Sequence, residues 1–156
     1  MFHNTSNRIL TASKLNFTVI GAGGTGSHII SGITRICEAL KKLGKKQIFH
    51  GTIYDPDIIT EANAARQLFI PAETGMYKAD ALANRMNYAY GSSIQWLPHV
   101  ETFPPAANAQ TYDIIIACVD SKKSRAQINR YVQKSHDWTY IIDCGNDNNY
   151  GQILLG

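Results

Sequence analysis

The sequence has little of several features that would place it in a specialised class of protein. Only three of its 156 residues are cysteine and none forms a Cys-x-x-Cys pair, so neither a zinc site nor a disulfide framework is predicted. The longest purely apolar run, Ile114 to Val119, is too short to span a membrane. Residues 1–8 lack the apolar stretch of a signal peptide. These absences predict a cytoplasmic protein whose cysteines are reduced.

Charge is also scarce, and neither sign dominates. Charged residues make up 17% of the chain, and 15 Lys and Arg against 12 Asp and Glu give a net charge of +3. This excess is too small to indicate nucleic-acid binding. Hydrophobic residues make up 44%, which at this length predicts one domain with a self-sufficient core.

Strand-like and helix-like segments alternate along the chain. Strands are predicted at residues 16–20, 48–54, 92–98, 112–119, 139–144 and 150–155, and helices at residues 29–40, 78–90 and 124–133. This order predicts a Rossmann-like, doubly wound α/β fold, with a mostly parallel sheet and helices on both faces. Turn-forming residues at 145–149 indicate that the last strand runs antiparallel. We expect ligands at the carboxyl ends of the parallel strands.

A glycine-rich loop separates the first strand from the first helix. It reads Gly21-x-Gly23-Gly24-x-Gly26, which is typical of loops whose backbone amides approach a phosphate at a helix N-terminus. The absence of Gly-Lys-Ser or Gly-Lys-Thr excludes a Walker-type loop. Asp55 ends the second strand, where its carboxylate can accept hydrogen bonds from a ribose. The loop therefore predicts a nucleotide site without choosing the nucleotide.

Four further motifs follow the loop, and they indicate which class of nucleotide-binding protein the sequence resembles. They read Asp55-x-Asp57, Asn63-x-x-Arg66-Gln67, Gly75-x-x-Lys78, and Asp120 with Arg125 five residues on. In this order they resemble the ThiF/MoeB-like adenylating enzymes of the E1 superfamily, over residues 16–156. Within this superfamily the sequence is most similar to the ThiF-like protein of the PRTRC system. The similar segments are residues 21–27, 54–57, 61–63, 66–69 and 151–156.

The resemblance implies an ATP-dependent adenylyltransferase. Such an enzyme activates the C-terminal glycine carboxylate of a ubiquitin-like or sulfur-carrier protein as an acyl-adenylate, with ATP and Mg²⁺. A homodimer is implied, and neither nucleic acid nor a membrane is expected as a partner. We expect residues 1–156 to form the nucleotide-binding (adenylation) domain, cut short at its C-terminus.

The resemblance carries specific roles onto this sequence. The residues implied in nucleotide binding are Gly21, Gly23, Gly24, Gly26, Asp55, Asn63, Arg66, Gln67 and Lys78. Arg66 and Lys78 would neutralise phosphates, and Asn63 would orient a phosphate oxygen. Asp120 would bind Mg²⁺ and completes the catalytic set with Arg66 and Lys78. No general base is needed, because a C-terminal carboxylate is already ionised at neutral pH.

Several points remain open from the sequence. Gln67 either supports Arg66 or touches the nucleotide, and Arg125 either braces Asp120 or simply lies on the next helix. Cys118 and Cys144 are predicted to be small buried apolar side chains near the site. The alternative functions are a catalytically inactive nucleotide-binding or dimerisation module and, from the glycine pattern alone, an NAD-dependent oxidoreductase.

Overall fold

The computed structural model describes residues 6–64, 66–104, 112–134, 140–146 and 151–155. Its strands are β1 Lys14–Ile20, β2 Ile48–Tyr54, β3 Ile94–His99, β4 Ile114–Ala117, β5 Tyr140–Asn146 and β6 Gly151–Leu155. Its helices are α1 Asn7–Thr11, α2 Gly24–Lys42, α3 Glu61–Ala64, α4 Lys78–Tyr90 and α5 Lys122–Lys134, with a 3₁₀ turn at Pro71–Glu73. No helix in these ranges has the length and apolarity needed to cross a membrane.

The strands form one six-stranded sheet in the order β3-β2-β1-β4-β5-β6. All neighbours are parallel except β5 and β6, which are antiparallel. This confirms the predicted Rossmann-like architecture, including the reversed last strand. Ile20 pairs with Tyr54 on one side and with Ala117 on the other, so the carboxyl ends of β1, β2 and β4 meet at one edge.

Apolar side chains cover both faces of the sheet, because parallel strands are buried on both sides. One cluster packs α2 and α4 against the sheet and includes Val19, Ile30, Ile53, Leu82 and Trp96. The other packs α5 against the opposite face and includes Ile20, Tyr54, Tyr112, Ile115 and Ile128. Each such side chain contributes about 1.5–3 kcal/mol when fully buried. The predicted placement of helices on both faces is confirmed.

Helix α2 extends beyond the predicted residues 29–40 at both ends. Its buried residues Ile30, Thr34 and Cys37 recur at helical spacing, whereas Ile36 is exposed. Thr34 accepts a hydrogen bond from the Trp96 indole at 2.8 Å. The helix ends at Lys42, and Gly44 follows with a φ of 81°, a conformation that glycine adopts without strain. The helix therefore starts directly at the glycine loop and carries its N-terminus to the edge where the strands end.

Three short elements were not predicted: α1, α3 and the 3₁₀ turn. Each has five residues or fewer, too few to show a helical period. Helix α1 is fixed by a contact far along the chain, since Arg8 pairs with Asp113 at 3.3 Å. The predicted turn at 145–149 lies largely outside the described residues.

Candidate functional site

A cleft of about 590 Å³ opens at the edge of the sheet where the parallel strands end. We call it the edge cleft. Its walls are the glycine loop, the residues that follow β2, β3 and β4, and the start of α4. Eight of the residues proposed from the sequence line it: Gly21, Gly23, Gly24, Asp55, Arg66, Gln67, Lys78 and Asp120. Residues that are as far as 99 positions apart in the chain therefore face one cleft.

The glycines of the loop fill different roles. Gly21 has a φ of 91°, and a Cβ there would lie 2.8 Å from the Cys118 carbonyl oxygen. A Cβ on Gly26 would lie 1.8 Å from the Gly21 carbonyl oxygen, whereas one on Gly24 would meet nothing within 4 Å. Gly26 is buried and does not line the edge cleft, so its lack of a side chain serves the close approach of α2 to the loop.

Asp55 is buried beneath the loop. One carboxylate oxygen accepts the Ala22 amide at 2.6 Å, and the other accepts the Asp57 amide at 2.8 Å. Burial raises the pKa of Asp55, and these two hydrogen bonds act against that rise. Asp55 thus ties the end of β2 to the glycine loop, with its carboxylate at the wall of the edge cleft.

Lys78 is a cation that the fold nearly encloses. It is only 7% exposed, although a lysine is rarely buried without a partner. Its ammonium donates to the Asp57 carboxylate at 2.7 Å, and its amide donates to the Asp57 carbonyl at 2.9 Å. The Asp57 side chain is 64% exposed, so Asp57 is the solvent-facing member of this ion pair. An incoming anion can therefore reach Lys78 from the open side by displacing the exposed Asp57 carboxylate.

Arg66 and Gln67 project from the segment between α3 and the 3₁₀ turn. Arg66 is exposed, and no carboxylate of the described residues lies within ion-pair distance of it. Gln67 has a buried Oε1 without a hydrogen-bond partner in the described ranges. Arg85 braces this segment, donating to the Leu68 carbonyl at 2.7 Å and to Glu73 at 2.6 Å. The segment is held firmly while its two polar side chains keep free bonding capacity.

Asp120 follows β4 and is exposed at the edge cleft. Arg125 lies on α5, but the carboxylate that it binds is Asp143, with 2.9 Å to each oxygen. It also donates to the Val119 carbonyl at 2.8 Å. Arg125 therefore does not brace the Asp120 side chain; it fixes the backbone just before it.

The match to known families covers almost the whole chain. Residues 5–153 match the ThiF family. The chain belongs to the ThiF family. It is 26% identical over 130 residues to the ubiquitin-like modifier-activating enzyme 5 of Oryza sativa subsp. japonica, which covers 74% of this chain and 28% of that protein. It is 27% identical over 141 residues to the SUMO-activating enzyme subunit uba-2 of Caenorhabditis elegans, covering 88% and 22% respectively. The chain thus spans less than a third of either relative.

Solved structures share the fold at low sequence identity. The structure of E. coli MccB with ATP superimposes with a TM-score of 0.67 at 18% identity, covering 86% of this chain and 38% of that one. E. coli tRNA N6-threonylcarbamoyladenosine dehydratase, TcdA, gives a TM-score of 0.65 at 19% identity, covering 84% and 52%. The sheet described above is therefore the ThiF-type arrangement.

Two residues proposed from the family resemblance do not line the edge cleft. Asn63 accepts the Thr60 amide at 3.0 Å and so caps the start of α3. Gly26 has the packing role given above. In this ThiF-family chain both residues shape the segments that carry the cleft-lining groups.

Sequence reasoning missed other residues of the edge cleft. These are chiefly Tyr54, Glu101, Thr102, Phe103, Ser121, Ser124 and Gln127. Residues 101–103 begin two positions after the end of β3, so the rule that ligands bind at the carboxyl ends of strands could have found them. Ser124 and Gln127 come from α5, and only the fold reveals that this helix borders the cleft.

The edge cleft is not uniformly positive. Four carboxylates line it, from Asp55, Asp57, Glu101 and Asp120, against the two cations Arg66 and Lys78. No group of three or more His, Cys, Asp or Glu side chains that could hold a metal ion by itself occurs in the described ranges. Any metal bound here would take most of its ligands from a substrate or from water.

Proposed function

We propose that this chain is the nucleotide-binding part of an enzyme that uses ATP to adenylate a carboxylate. The observation that carries the proposal is the meeting of the glycine loop with Arg66 and Lys78 in one cleft. Joining a carboxylate to the α-phosphate brings two anions together, so the site must supply cations at the phosphates. The glycine pattern alone would serve an NAD-binding protein equally well, whereas these two cations favour a triphosphate.

Several of the chain's own groups are placed to bind and orient the phosphates. The loop amides at the N-terminus of α2 donate hydrogen bonds to phosphate oxygens, because the helix dipole favours negative charge there. Arg66 is open to the ligand, and Lys78 exchanges its Asp57 partner for a phosphate oxygen. Gln67 lines the cleft beside Arg66. Asp55 lines the same wall and is assigned to the ribose hydroxyls.

The reaction requires positioning and charge stabilisation more than proton transfer. An oxygen of the substrate carboxylate attacks the α-phosphorus, the bond to the bridging oxygen breaks, and pyrophosphate leaves. Arg66 and Lys78 stabilise the charge that builds on the departing phosphates. Since the attacking carboxylate is already ionised, no residue has to remove a proton.

The donor set of the edge cleft fits Mg²⁺. Four carboxylates against two cations leave the charge of ATP uncompensated, so a divalent cation has to accompany the nucleotide. Asp120 is exposed at the end of β4, and one carboxylate with phosphate oxygens and water is an ordinary set of ligands for Mg²⁺. When bound, the ion would neutralise phosphate charge. Asp120 would hold it.

The finer assignment concerns the substrate and the assembly. We propose the C-terminal glycine carboxylate of a ubiquitin-like or sulfur-carrier protein as the group activated, in a homodimer of the PRTRC type. Support comes from the motif order in the sequence and from relatives whose names describe activation of ubiquitin-like modifiers. The carrier and the assembly are proposals for the whole protein.

Nucleotide titration of the purified chain tests the proposal. We expect ATP binding that strengthens with Mg²⁺, and a loss of about 10- to 100-fold in Arg66→Ala, because hydrogen bonds to charged groups are worth about 1.5–3 kcal/mol. Arg130→Ala is the matched control, since Arg130 is exposed on α5 outside the edge cleft. Equal ATP affinity in Arg66→Ala and the wild type would refute the site assignment.

Pyrophosphate exchange then separates the functional alternatives. Exchange that depends on a carrier protein ending in glycine would support the adenylyltransferase, and its loss in Asp120→Ala would support the metal assignment. ATP binding without exchange with any carboxylate partner would identify the non-catalytic module instead. Tighter binding of NAD than of ATP would favour the oxidoreductase.

A further inference from the structure

Two cysteines occupy neighbouring positions at the floor of the edge cleft. Cys144 lies on β5, and Cys118 directly follows β4. The parallel register pairs Ala117 with Asp143, so one step further along both strands places Cys118 beside Cys144. Neighbouring strands lie about 4.8 Å apart, which is within the Cα separation of about 4.4–6.8 Å that a disulfide spans. The backbone therefore already has the spacing for a cross-link.

The two thiols also face the same way. Both line the edge cleft, as expected for residues at matching positions on parallel neighbours. Burial is the main influence on both thiols and raises the pKa of each. The shared face and the strand register together bring the two sulfurs to one wall of the edge cleft.

The two cysteines at the cleft are more accessible to solvent than the third cysteine, Cys37. Cys37 is fully buried in the core under α2, and burial raises its pKa to about 11. Cys144 is 8% exposed and Cys118 is partly exposed, both toward an open cleft large enough for a small oxidant. A thiol must be accessible to react with an oxidant from solution, so the pair that lines the cleft should react before Cys37.

We propose that Cys118 and Cys144 form a reversible disulfide when the protein meets a hydroperoxide. The thiolate of one cysteine attacks the peroxide and breaks the O–O bond, which yields a sulfenic acid and one molecule of water or alcohol. The sulfur of the other cysteine then displaces the sulfenic hydroxyl, forming the S–S bond and releasing water. Two thiols lose two electrons and two protons in total, and the peroxide is reduced by those two electrons.

Arg125 lies beside the proposed cross-link. Its guanidinium donates to the Cys144 carbonyl at 3.3 Å and to the neighbouring Asp143 carboxylate at 2.9 Å. A cross-link at this point would join the ends of β4 and β5 where the chain turns toward Asp120. The proposal concerns the thiols alone, so it stands or fails independently of any activity toward ATP.

Peptide mapping of the peroxide-treated chain tests the proposal. The reduced 156-residue chain is exposed to hydrogen peroxide at mildly alkaline pH, quenched, denatured and alkylated with N-ethylmaleimide. We expect two of the three thiols to be lost, so that the oxidised chain takes up one N-ethylmaleimide where the reduced chain takes up three, and a linked peptide containing Cys118 and Cys144. A dithiol reductant should restore all three thiols.

Single-cysteine variants provide the controls. Cys37→Ala should still lose two thiols, and Cys118→Ala should trap a sulfenic acid at Cys144 that reacts with dimedone. The proposal is overturned if the linked peptide contains Cys37. It is equally overturned if Cys144 advances to the sulfinic acid without a link, or if all three thiols survive conditions that oxidise the denatured chain.

Discussion

Replacing Gly26 with alanine tests the geometry of the glycine loop most directly. The new Cβ would lie 1.8 Å from the Gly21 carbonyl oxygen and 2.8 Å from the Gly21 carbonyl carbon, both backbone atoms. Real Cβ contacts almost never fall below 3.0 Å, so the loop must retreat from α2 by about 1.2 Å. Gly21 donates to Tyr54 at 2.8 Å, and a retreat of that size would break this bond.

The cost follows from these two changes. Overpacking a well-fitted site costs about 1–3 kcal/mol, and a lost backbone hydrogen bond adds about 1 kcal/mol. We therefore expect Gly26→Ala to lower the free energy of unfolding by about 2–4 kcal/mol. For a chain of this size the melting temperature should fall by about 5–15 °C.

Gly24→Ala is the matched control in the same loop. A Cβ there meets nothing within 4 Å, and alanine is the better helix former at the start of α2. Urea unfolding should leave Gly24→Ala within about 0.5 kcal/mol of the wild type. Its ATP affinity should still fall, because the new methyl group projects from a residue that lines the edge cleft. Similar stability of the two variants would refute the packing argument.

Two further predictions concern the buried thiol of Cys37 and the ion pair of Arg85 with Glu73 that braces residues 66–70. The pKa of Cys37 is raised by burial from 9.0 to about 11, so its contribution to stability is complete below pH 9 and is lost as pH rises through 11. This loss is at most about 3 kcal/mol. Urea titrations across this pH window should show the free energy of unfolding declining less steeply for Cys37→Ala than for the wild type. Parallel curves would contradict the prediction. Glu73→Gln removes the charge to which Arg85 donates at 2.6 Å and 2.7 Å, and should cost about 1–3 kcal/mol. Hydrogen exchange should show faster opening of residues 66–70, and unchanged exchange there would exclude a bracing role.

Much of the fold is readable from the sequence because its signals are local. The strand at 48–54 and the helix at 78–90 have the predicted bounds, since an apolar pattern ends at turn-forming residues in each case. Helix α1 was missed because five residues carry no period. Ser6 caps the helix by accepting the Arg8 amide, and the Arg8 side chain pairs with Asp113, a contact that no local pattern contains.

The sequence predicts which residues line the cleft better than it predicts which partners their side chains bind. The loop, Asp55, Arg66, Lys78 and Asp120 reach one cleft because the parallel order dictates which ends of the strands meet. The partner of a long side chain depends on its tertiary surroundings instead. Arg125 binds Asp143 from the neighbouring strand, and the sequence offers no signal for that choice.

The position of β1 in the middle of the sheet has a consequence for synthesis of the chain. One side of β1 pairs with β2 soon after both leave the ribosome, but its other side waits for β4. The contact of Asn16 with Asp113 spans 97 residues, and at about 5–20 residues per second this delay is about 5–20 s. During that interval the nascent chain presents the unpaired edge of a largely apolar strand, with Leu15, Phe17, Val19 and Ile20 among its seven residues. Such an edge can recruit other chains, so yield should depend on temperature and chaperones during expression.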